Sequence, residues 1–264
     1  MTAPVLKLDN IAKVFGGLRA IDGVSFEVMP RQIFGLIGPN GAGKTTAFNC
    51  ISGVYTPEQG TISFLGQSIA GRPPSEIAAL GIARTFQNIR LFGDMTVLEN
   101  VMVAGHASIR FNPLEAMFRS RRQADEQAAL EARALELLRI FELDGLATER
   151  SKSLPYGSQR KLEIARALML RPRLLLLDEP AAGMNSREAD SLKNQIRWLR
   201  DTFDLTIVLV EHNMQVVMNV CEHVHCVDHG QTIASGEPLE VQNHPAVRTA
   251  YLGADVDEST LRQA

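Results

Sequence analysis

Nine consecutive residues near the start of the chain have the types and the spacing that bind a chain of phosphates. They follow an apolar run that ends at Ile37 and comprise Gly38, Pro39, Asn40, Gly41, Ala42, Gly43, Lys44, Thr45 and Thr46. Glycines let the backbone curve, so that several N–H groups and the start of the next helix point at phosphate oxygens. In this pattern Lys44 reaches the β- and γ-phosphates and Thr45 offers its hydroxyl to Mg²⁺. The segment therefore predicts a phosphate-binding loop for ATP with Mg²⁺, the alternative being a glycine-rich turn without a ligand.

Two adjacent carboxylates follow a run of four leucines later in the chain. The leucines, residues 174–177, predict a fully buried strand, and Asp178 and Glu179 come at its carboxyl end. We expect this strand to be parallel to the strand of the phosphate loop and to lie directly beside it. Asp178 then holds Mg²⁺ through water, and Glu179 acts as the general base that polarises the attacking water. The alternative is a core strand that ends in a solvated acidic turn.

Residues 154–168, just before the leucine strand, resemble the signature region of ABC ATPases. The segment begins Leu-Pro-Tyr-Gly-Ser, where the commoner pattern is Leu-Ser-Gly-Gly-Gln. The resemblance implies that Gly157 and Ser158, at the start of a helix, face the γ-phosphate of ATP held by a second ATPase subunit. Two ATP sites then form only on dimerisation. Pro155 takes the place of the serine, so the usual contact between serine and phosphate is absent.

Three further positions match this family residue by residue. Phe15 resembles the aromatic residue that stacks on adenine, the alternative being a role in core packing. Gln87 resembles the glutamine that touches Mg²⁺ and the attacking water and links the catalytic core to the helical lobe, the alternative being a loop amide. His212 resembles the switch histidine that contacts the γ-phosphate, the alternative being a structural histidine. Residues 181–185 match the loop at the dimer interface, with Asn185 where the family usually has aspartate.

Apolar runs bounded by turn residues predict the elements that position these side chains. Apolar residues recur at helical spacing between about Thr96 and Leu170, as in Leu130, Ala134, Leu137, Leu138 and Phe141. A helix is predicted at 186–202, and short strands are predicted at 5–8, 24–28, 33–37, 61–64, 174–177 and 206–210. Alternation of strands and helices in the last part of the chain predicts a parallel sheet covered by helices.

The resemblance implies an α/β fold: a P-loop NTPase core of the RecA-like type, with an N-terminal antiparallel β subdomain and an inserted α-helical subdomain. We expect residues 1–264 to form a single ABC ATPase domain. Within it, residues 1–87 and 171–250 form the nucleotide-binding core with the β subdomain, residues 88–170 form the helical subdomain with the signature, and residues 251–264 form a C-terminal tail.

Composition and charge exclude several other classes of function. The chain has 264 residues and a formal net charge of -3, so it has no broad cationic field for nucleic acid. Its three cysteines are interpreted as free thiols in a reducing compartment. Because no signal peptide and no long apolar run are found, we expect a cytoplasmic protein that spans no membrane. The arginines around residues 110–122 are interpreted as a solvated helix face, the alternative being a contact with permease loops or lipid headgroups.

Within the family, the chain is most similar to ATP-binding subunits of the branched-chain (hydrophobic) amino acid uptake branch. Residues 15–26, the Leu-Pro-Tyr-Gly form of the signature, residues 179–183 and residues 250–253 carry this resemblance. It implies an ATPase on the cytoplasmic face of the inner (plasma) membrane. The implied partners are transmembrane permease subunits, a second ATPase subunit in a hetero- or homodimer and, indirectly, an extracytoplasmic solute-binding protein.

Three alternative functions remain open from the residues. One is a soluble ABC ATPase that acts on a non-membrane partner. Another is an importer of a different small solute, such as urea or short amides. The third is a P-loop kinase that phosphorylates a small molecule, which the signature region disfavours.

Overall fold

The computed structural model describes residues 3–106, 121–182 and 186–252, with side chains described except at 106, 121–123, 186–190 and 252. By its contacts the chain divides into two compact units, Met1–Ile77 with Arg173–Ala264, and Ala78–Pro172. Three predictions lie partly outside the described residues. These are the arginine-rich face at 110–122, the interface loop from Gly183 to Asn185, and the tail beyond residue 252.

Strands and helices alternate along most of the described chain. In chain order the strands are β1 (Leu6–Phe15), β2 (Leu18–Val28), β3 (Ile33–Ile37), β4 (Gln59–Phe64), β5 (Gln67–Ser68), β6 (Ile82–Arg84), β7 (Leu174–Asp178), β8 (Thr206–Val210), β9 (His223–Asp228) and β10 (Gln231–Gly236). The helices are α1 (Lys44–Ile51), α2 (Pro74–Leu80), α3 (Val97–His106), α4 (Arg121–Ile140), α5 (Tyr156–Leu168), α6 (Ser186–Phe203), α7 (Met214–Val220), α8 (Pro238–Asn243) and α9 (Pro245–Leu252). Short 3-10 turns occur at Asp144–Leu146 and Ser151–Ser153.

The first sheet is antiparallel, with the strand order β2-β1-β4-β5. β1 and β2 extend well beyond the predicted strands at 5–8 and 24–28. Irregular pairing between Leu8 and Ile11 lets the ladder continue past Asn10, which has a φ of 49°. Polar residues at this irregularity interrupt the alternation of apolar and polar residues on which the sequence prediction relied. Both strands were therefore predicted to be shorter than they are.

The second sheet positions the residues of interest. In the first unit its strands follow the order β10-β9-β3-β8-β7, with β9, β3, β8 and β7 parallel to one another. Every residue of β3, β7 and β8 is buried, as expected for a parallel sheet that is covered on both faces. The prediction that the leucine strand lies directly beside β3 is wrong, because β8 pairs with β3 on one side and with β7 on the other.

The described helices agree with the predicted pattern. α6 covers the predicted helix at 186–202. In the second unit α3, α4 and α5 occupy the segment between Thr96 and Leu170 that was predicted to be mostly helical. The apolar positions predicted to lie on one helical face are buried, namely Leu130, Ala134, Leu137, Leu138 and Phe141.

A buried histidine joins β9 to β10. His225 is 1% exposed, and its Nε2 and Nδ1 lie 2.9 Å from Thr232 Oγ1 and 3.1 Å from Ser235 Oγ. The imidazole also lies against the rings of Phe26 and Phe34. Burial in these surroundings lowers the pKa of His225 to about 4. The folded chain therefore keeps this imidazole neutral where the unfolded chain protonates it.

This shift predicts a loss of stability in mild acid. The unfolded imidazole binds a proton below pH 6.5 and the folded one only near pH 4, so stability falls as the pH drops through this window. The full effect of His225 is about 3 kcal/mol. We expect the free energy of unfolding, measured by urea denaturation in steps from pH 7 to 4.5, to fall less steeply for His225→Asn. Equal slopes for the variant and the wild type would contradict this assignment.

Candidate nucleotide site

The predicted phosphate loop lies between a buried strand and a helix, as its sequence pattern requires. It leaves β3 at Gly38 and enters α1 at Lys44. Gly43 has a φ of 102°, and a Cβ at this position would lie 2.3 Å from the carbonyl oxygen of Ala20. Only glycine therefore fits there. Gly43 has no side chain to cap α1, so the N–H groups of the first turn remain available to a ligand.

Lys44 is buried and points back along the loop. Its Nζ donates hydrogen bonds of 2.7 Å to the Gly38 carbonyl and 2.8 Å to the Pro39 carbonyl. Burial lowers the pKa of Lys44, while the nearby carboxylates of Glu179 and Asp178 act in the opposite direction. The lysine and both acidic side chains thus lie within electrostatic reach of one another.

The register of two parallel strands sets the positions of the acidic pair. Asp178 ends β7 opposite Val210, the last residue of β8, and the Glu179 N–H donates to the Val210 carbonyl at 2.9 Å. Asp178 is buried. Glu179 has a φ of 45°, a left-handed conformation that costs a non-glycine residue about 1 kcal/mol. The backbone thus turns sharply where the strand ends.

His212 lies next to this turn. It follows β8 by two residues, and its Nδ1 lies 3.7 Å from Glu179 Oε2. The histidine side chain is 54% exposed, whereas that of Glu179 is 17% exposed. The predicted catalytic pair Glu179 and His212 is therefore brought together at the carboxyl edge of the sheet, where one side remains open to a ligand.

The sequence patterns missed Glu211, which lies between β8 and His212. Its carboxylate is fully buried and accepts the N–H groups of Ala181 at 2.7 Å, His212 at 3.2 Å and Asn213 at 3.4 Å. Burial raises the pKa of Glu211 despite these donors. The carboxylate ties the loop after β7 to the loop after β8. The signal in the sequence was an acidic residue placed directly between the apolar run at 206–210 and the predicted histidine.

Phe15 ends β1 with its ring 41% exposed, so it is not a core residue. The ring meets Tyr55 edge-on, with centroids 5.0 Å apart. Lys13 Nζ lies 5.3 Å from the Phe15 centroid and pairs with Glu58 at 2.6 Å. The residue is therefore partly open to solvent, and stacking on adenine stays a prediction. Tyr55 was not anticipated from the sequence.

Gln87 belongs to the second unit, where it is exposed. Phe86, the residue before Gln87, is hydrogen-bonded through both its N–H and its carbonyl to side chains of α5. Arg160 donates to the Phe86 carbonyl at 2.7 Å, and Glu163 accepts the Phe86 N–H at 3.2 Å. Arg160 and Glu163 also form a buried ion pair of 2.8 Å. The signature helix thus fixes the backbone that leads into Gln87.

The predicted signature residues lie in the first turn of α5. Gly157 is exposed, and a Cβ there would meet no described atom within 4 Å. Ser158 follows it and is half-buried. Pro155 occupies the N-cap, and its side chain makes no hydrogen bond to the start of the helix. Among the described residues, none requires glycine at position 157, and the role of the signature stays a prediction.

Comparison with known proteins decides the family. A family model described as ABC transporter matches residues 21–182. The chain belongs to this family. A second model, described as branched-chain amino acid ATP-binding cassette transporter, matches residues 231–257 of the ABC ATPase.

Relatives match almost the whole of the ABC ATPase. It is 44% identical over 259 residues to the high-affinity branched-chain amino acid transport ATP-binding protein BraF of Pseudomonas aeruginosa, covering 96% of this chain and 99% of BraF. It is 43% identical over 255 residues to LivG of Escherichia coli strain K12, with the same coverage. Among solved structures, the ADP conformation of MJ1267, an ATP-binding cassette of an ABC transporter, matches with a TM-score of 0.82 and 33% identity over 96% of this chain and 100% of that one.

These comparisons confirm the predicted family, the α/β fold of an ABC cassette, ATP binding and ATPase activity. Among the described residues, no helix of the ABC ATPase is long and apolar enough to cross a membrane. The roles of individual site residues stay predictions. The structure brings Lys44, Asp178, Glu179 and His212 together in the first unit, and holds Gln87 and the signature in the second.

The Arg160–Glu163 pair predicts a stability effect in the second unit. Glu163→Ala removes an acceptor of the Phe86 N–H and leaves Arg160 without its buried carboxylate, so we expect the free energy of unfolding to fall by about 3 kcal/mol. Urea denaturation followed by circular dichroism measures the change. Glu142→Ala is the matched control, since its pair with Lys161 on the same helix is exposed and is worth less than about 1 kcal/mol. Equal losses in both variants would contradict the role of the buried pair.

Proposed function

We propose that this ABC ATPase powers a membrane importer of branched-chain or other hydrophobic amino acids. The ATPase chemistry rests on one observation above all, the Glu179 carboxylate 3.7 Å from the His212 imidazole beside the buried Lys44. The class of cargo is supported by the names of BraF and LivG and by the branched-chain family match at residues 231–257.

The residues at the loop have the chemistry that Mg²⁺-bound ATP requires. Gly41 and Gly43 add no side chains to the loop at these two positions, and α1 begins at the loop with a first turn that no side chain caps. Asp178, through water, and the Thr45 hydroxyl would hold Mg²⁺, an ion that prefers oxygen donors. Gln87 is assigned the remaining contact by the resemblance alone. Mg²⁺, when bound, supplies positive charge beside the β- and γ-phosphate oxygens.

The protein residues divide the hydrolytic step among them. Glu179 accepts a proton from water as the water oxygen bonds to the γ-phosphorus, and the bond from that phosphorus to the bridging oxygen of ADP breaks. His212 contacts the γ-phosphate and orients the water. Lys44 and the N–H groups of the loop stabilise the negative charge on the transferring group and on ADP.

A second ATPase subunit completes each site. Gly157 and Ser158 of one subunit face the γ-phosphate held by the loop of the other, and the uncapped start of α5 supplies N–H donors. The open space around Gly157 supports this arrangement, because the partner's nucleotide then occupies it. Closing and reopening of the dimer drives the permeases from the cytoplasmic face of the membrane. On the opposite side, an extracytoplasmic binding protein delivers the cargo to the permeases.

A cleft in the second unit is suited to a permease segment. Its volume is about 590 Å³, and it is lined by Arg90, Leu91, Phe92, Val103, Ala104 and Arg166. The Phe92 ring is 49% exposed, although the buried side chains of Asn100 and Ser151 hold the Phe92 backbone through hydrogen bonds of 2.9 Å. Val103, which lines the same cleft, is also exposed, and a cluster of exposed apolar side chains is typical of an interface. The flanking arginines favour a segment with acidic or carbonyl groups.

The alternatives make different predictions about partners. A soluble ABC ATPase with a non-membrane partner would not copurify with integral membrane proteins. An importer of another small solute, such as urea or short amides, would retain every ATPase property above and differ only in its permeases and binding protein. Isolation of the complex from membranes, with its partners identified, separates these cases.

Replacement of the general base tests the catalytic assignment. Glu179→Gln keeps the shape of the side chain but cannot accept the proton, so we expect turnover to fall about 100-fold or more while MgATP still binds. The closed dimer then accumulates with ATP and is measured by size-exclusion chromatography. Lys44→Ala should lose MgATP affinity instead. Glu27→Gln, an exposed carboxylate on β2, is the control and should hydrolyse ATP like the wild type; undiminished turnover in Glu179→Gln refutes the assignment.

A charge in the cleft tests the permease contact. Phe92→Glu places a carboxylate in the apolar cleft, so we expect the ATPase to be lost from membranes that contain its permeases, while MgATP affinity is retained. Leu239→Glu introduces the same charge at an exposed leucine of α8 in the other unit and should leave membrane association unchanged. Equal membrane recovery of Phe92→Glu and wild type would exclude this cleft as the contact.

A further inference from the structure

A tyrosine of the last described helix contacts the first residue of the phosphate loop. The Oη of Tyr251, in α9, accepts a hydrogen bond of 2.9 Å from the N–H of Gly38. The two residues are 213 positions apart in the chain. The phenol is largely buried, and burial raises its pKa, so the group is neutral at physiological pH and keeps its oxygen available as an acceptor.

Gly38 is also constrained on its other sides. It has a φ of 149°, and a Cβ there would lie 2.0 Å from the carbonyl oxygen of Val227 at the end of β9. Its own carbonyl accepts a hydrogen bond of 2.7 Å from Lys44 Nζ. The N–H is therefore held by Tyr251 and the carbonyl by Lys44. Movement of α9 would therefore shift Gly38. That shift would change both the start of the loop and the carbonyl that accepts the hydrogen bond from Lys44.

This contact joins two segments that match different family models. Tyr251 lies within residues 231–257, which match the branched-chain family model, whereas Gly38 lies within residues 21–182, which match the ABC transporter model. In the same region, the Gly230 N–H donates to the Ala42 carbonyl at 3.0 Å. The C-terminal segment thus bonds the start of the loop through Tyr251, and Gly230, just before the segment, bonds its middle.

We propose that Tyr251 is a positioning residue for the phosphate loop, which sets nucleotide affinity through the hydrogen bond from Gly38. This inference rests on the proposed role of the loop in binding ATP. Since the loop cradles phosphates that ATP and ADP share, Tyr251 acts on both nucleotides. The coupling is reciprocal, so bound nucleotide stabilises the docking of α9 against the loop.

Removal of one oxygen atom tests the proposal in the full chain. Tyr251→Phe keeps the ring but removes the acceptor, and the loss of one hydrogen bond is expected to weaken both MgATP and MgADP binding about fivefold in isothermal titration calorimetry. The amide signal of Gly38 in NMR spectra should shift upfield in the variant, because its hydrogen bond is lost. Both measurements are made below the unfolding transition.

Val247→Ala is the matched control. Val247 is a buried residue of the same helix that carries no polar side-chain atom. Its truncation lowers the free energy of unfolding but leaves the Tyr251 oxygen in place as the acceptor, so nucleotide affinity should stay within about twofold of wild type. If Val247→Ala weakens binding as much as Tyr251→Phe, helix packing and not the hydrogen bond sets the affinity, and the proposal is overturned.

Hydrogen exchange provides an independent test of the coupling. MgADP should slow amide exchange across residues 245–252, and this protection should be reduced in Tyr251→Phe. Unchanged exchange in the wild type, or unchanged affinity in Tyr251→Phe, overturns the proposal while leaving the nucleotide site intact. Failure of the wild type to bind MgATP or MgADP would instead remove the proposed site, and this inference with it.

Discussion

The parallel pairing of β3, β8 and β7 is the constraint on which the site depends. Three fully buried strands end at the same edge of the sheet, and the pairing of Asp178 with Val210 fixes which residues meet there. The loop after each strand then supplies one part of the chemistry. Lysine comes from the first, histidine from the second and two carboxylates from the third. A slip of one residue in either register would separate the groups.

The phosphate loop is built from close backbone contacts as much as from side chains. Carbonyl oxygens of Ala20 and Val227 lie where a Cβ of Gly43 or Gly38 would be, and Gly230 and Tyr251 bond the loop from behind. These neighbours come from the first antiparallel sheet, from the β9–β10 turn and from α9. Three distant parts of the chain therefore contact these nine residues, in addition to the hydrogen bonds that Lys44 donates within the loop.

Local patterns in the sequence predicted the phosphate loop, the acidic pair and His212, because each lies within a few residues of a strand that its apolar run identifies. Order in space was harder to predict. Nothing in the run at 206–210 shows that it lies between β3 and β7. The bonds between Glu211 and Ala181, between the Arg160–Glu163 pair and Phe86, and between Gly38 and Tyr251 were also missed, because each depends on tertiary packing between residues far apart in the chain. Short motifs thus predict the chemical groups of the site, whereas the contacts that position these groups depend on long-range packing.

The left-handed backbone of Glu179 has a consequence for the engineering of such a chain. Glycine or asparagine adopts this conformation more readily than glutamate, so either residue would relax the turn after β7. Optimisation of thermal stability alone would therefore favour replacing the glutamate. Such a substitution would also remove the proposed general base, so protein engineers who optimise melting temperature should leave Glu179 unchanged.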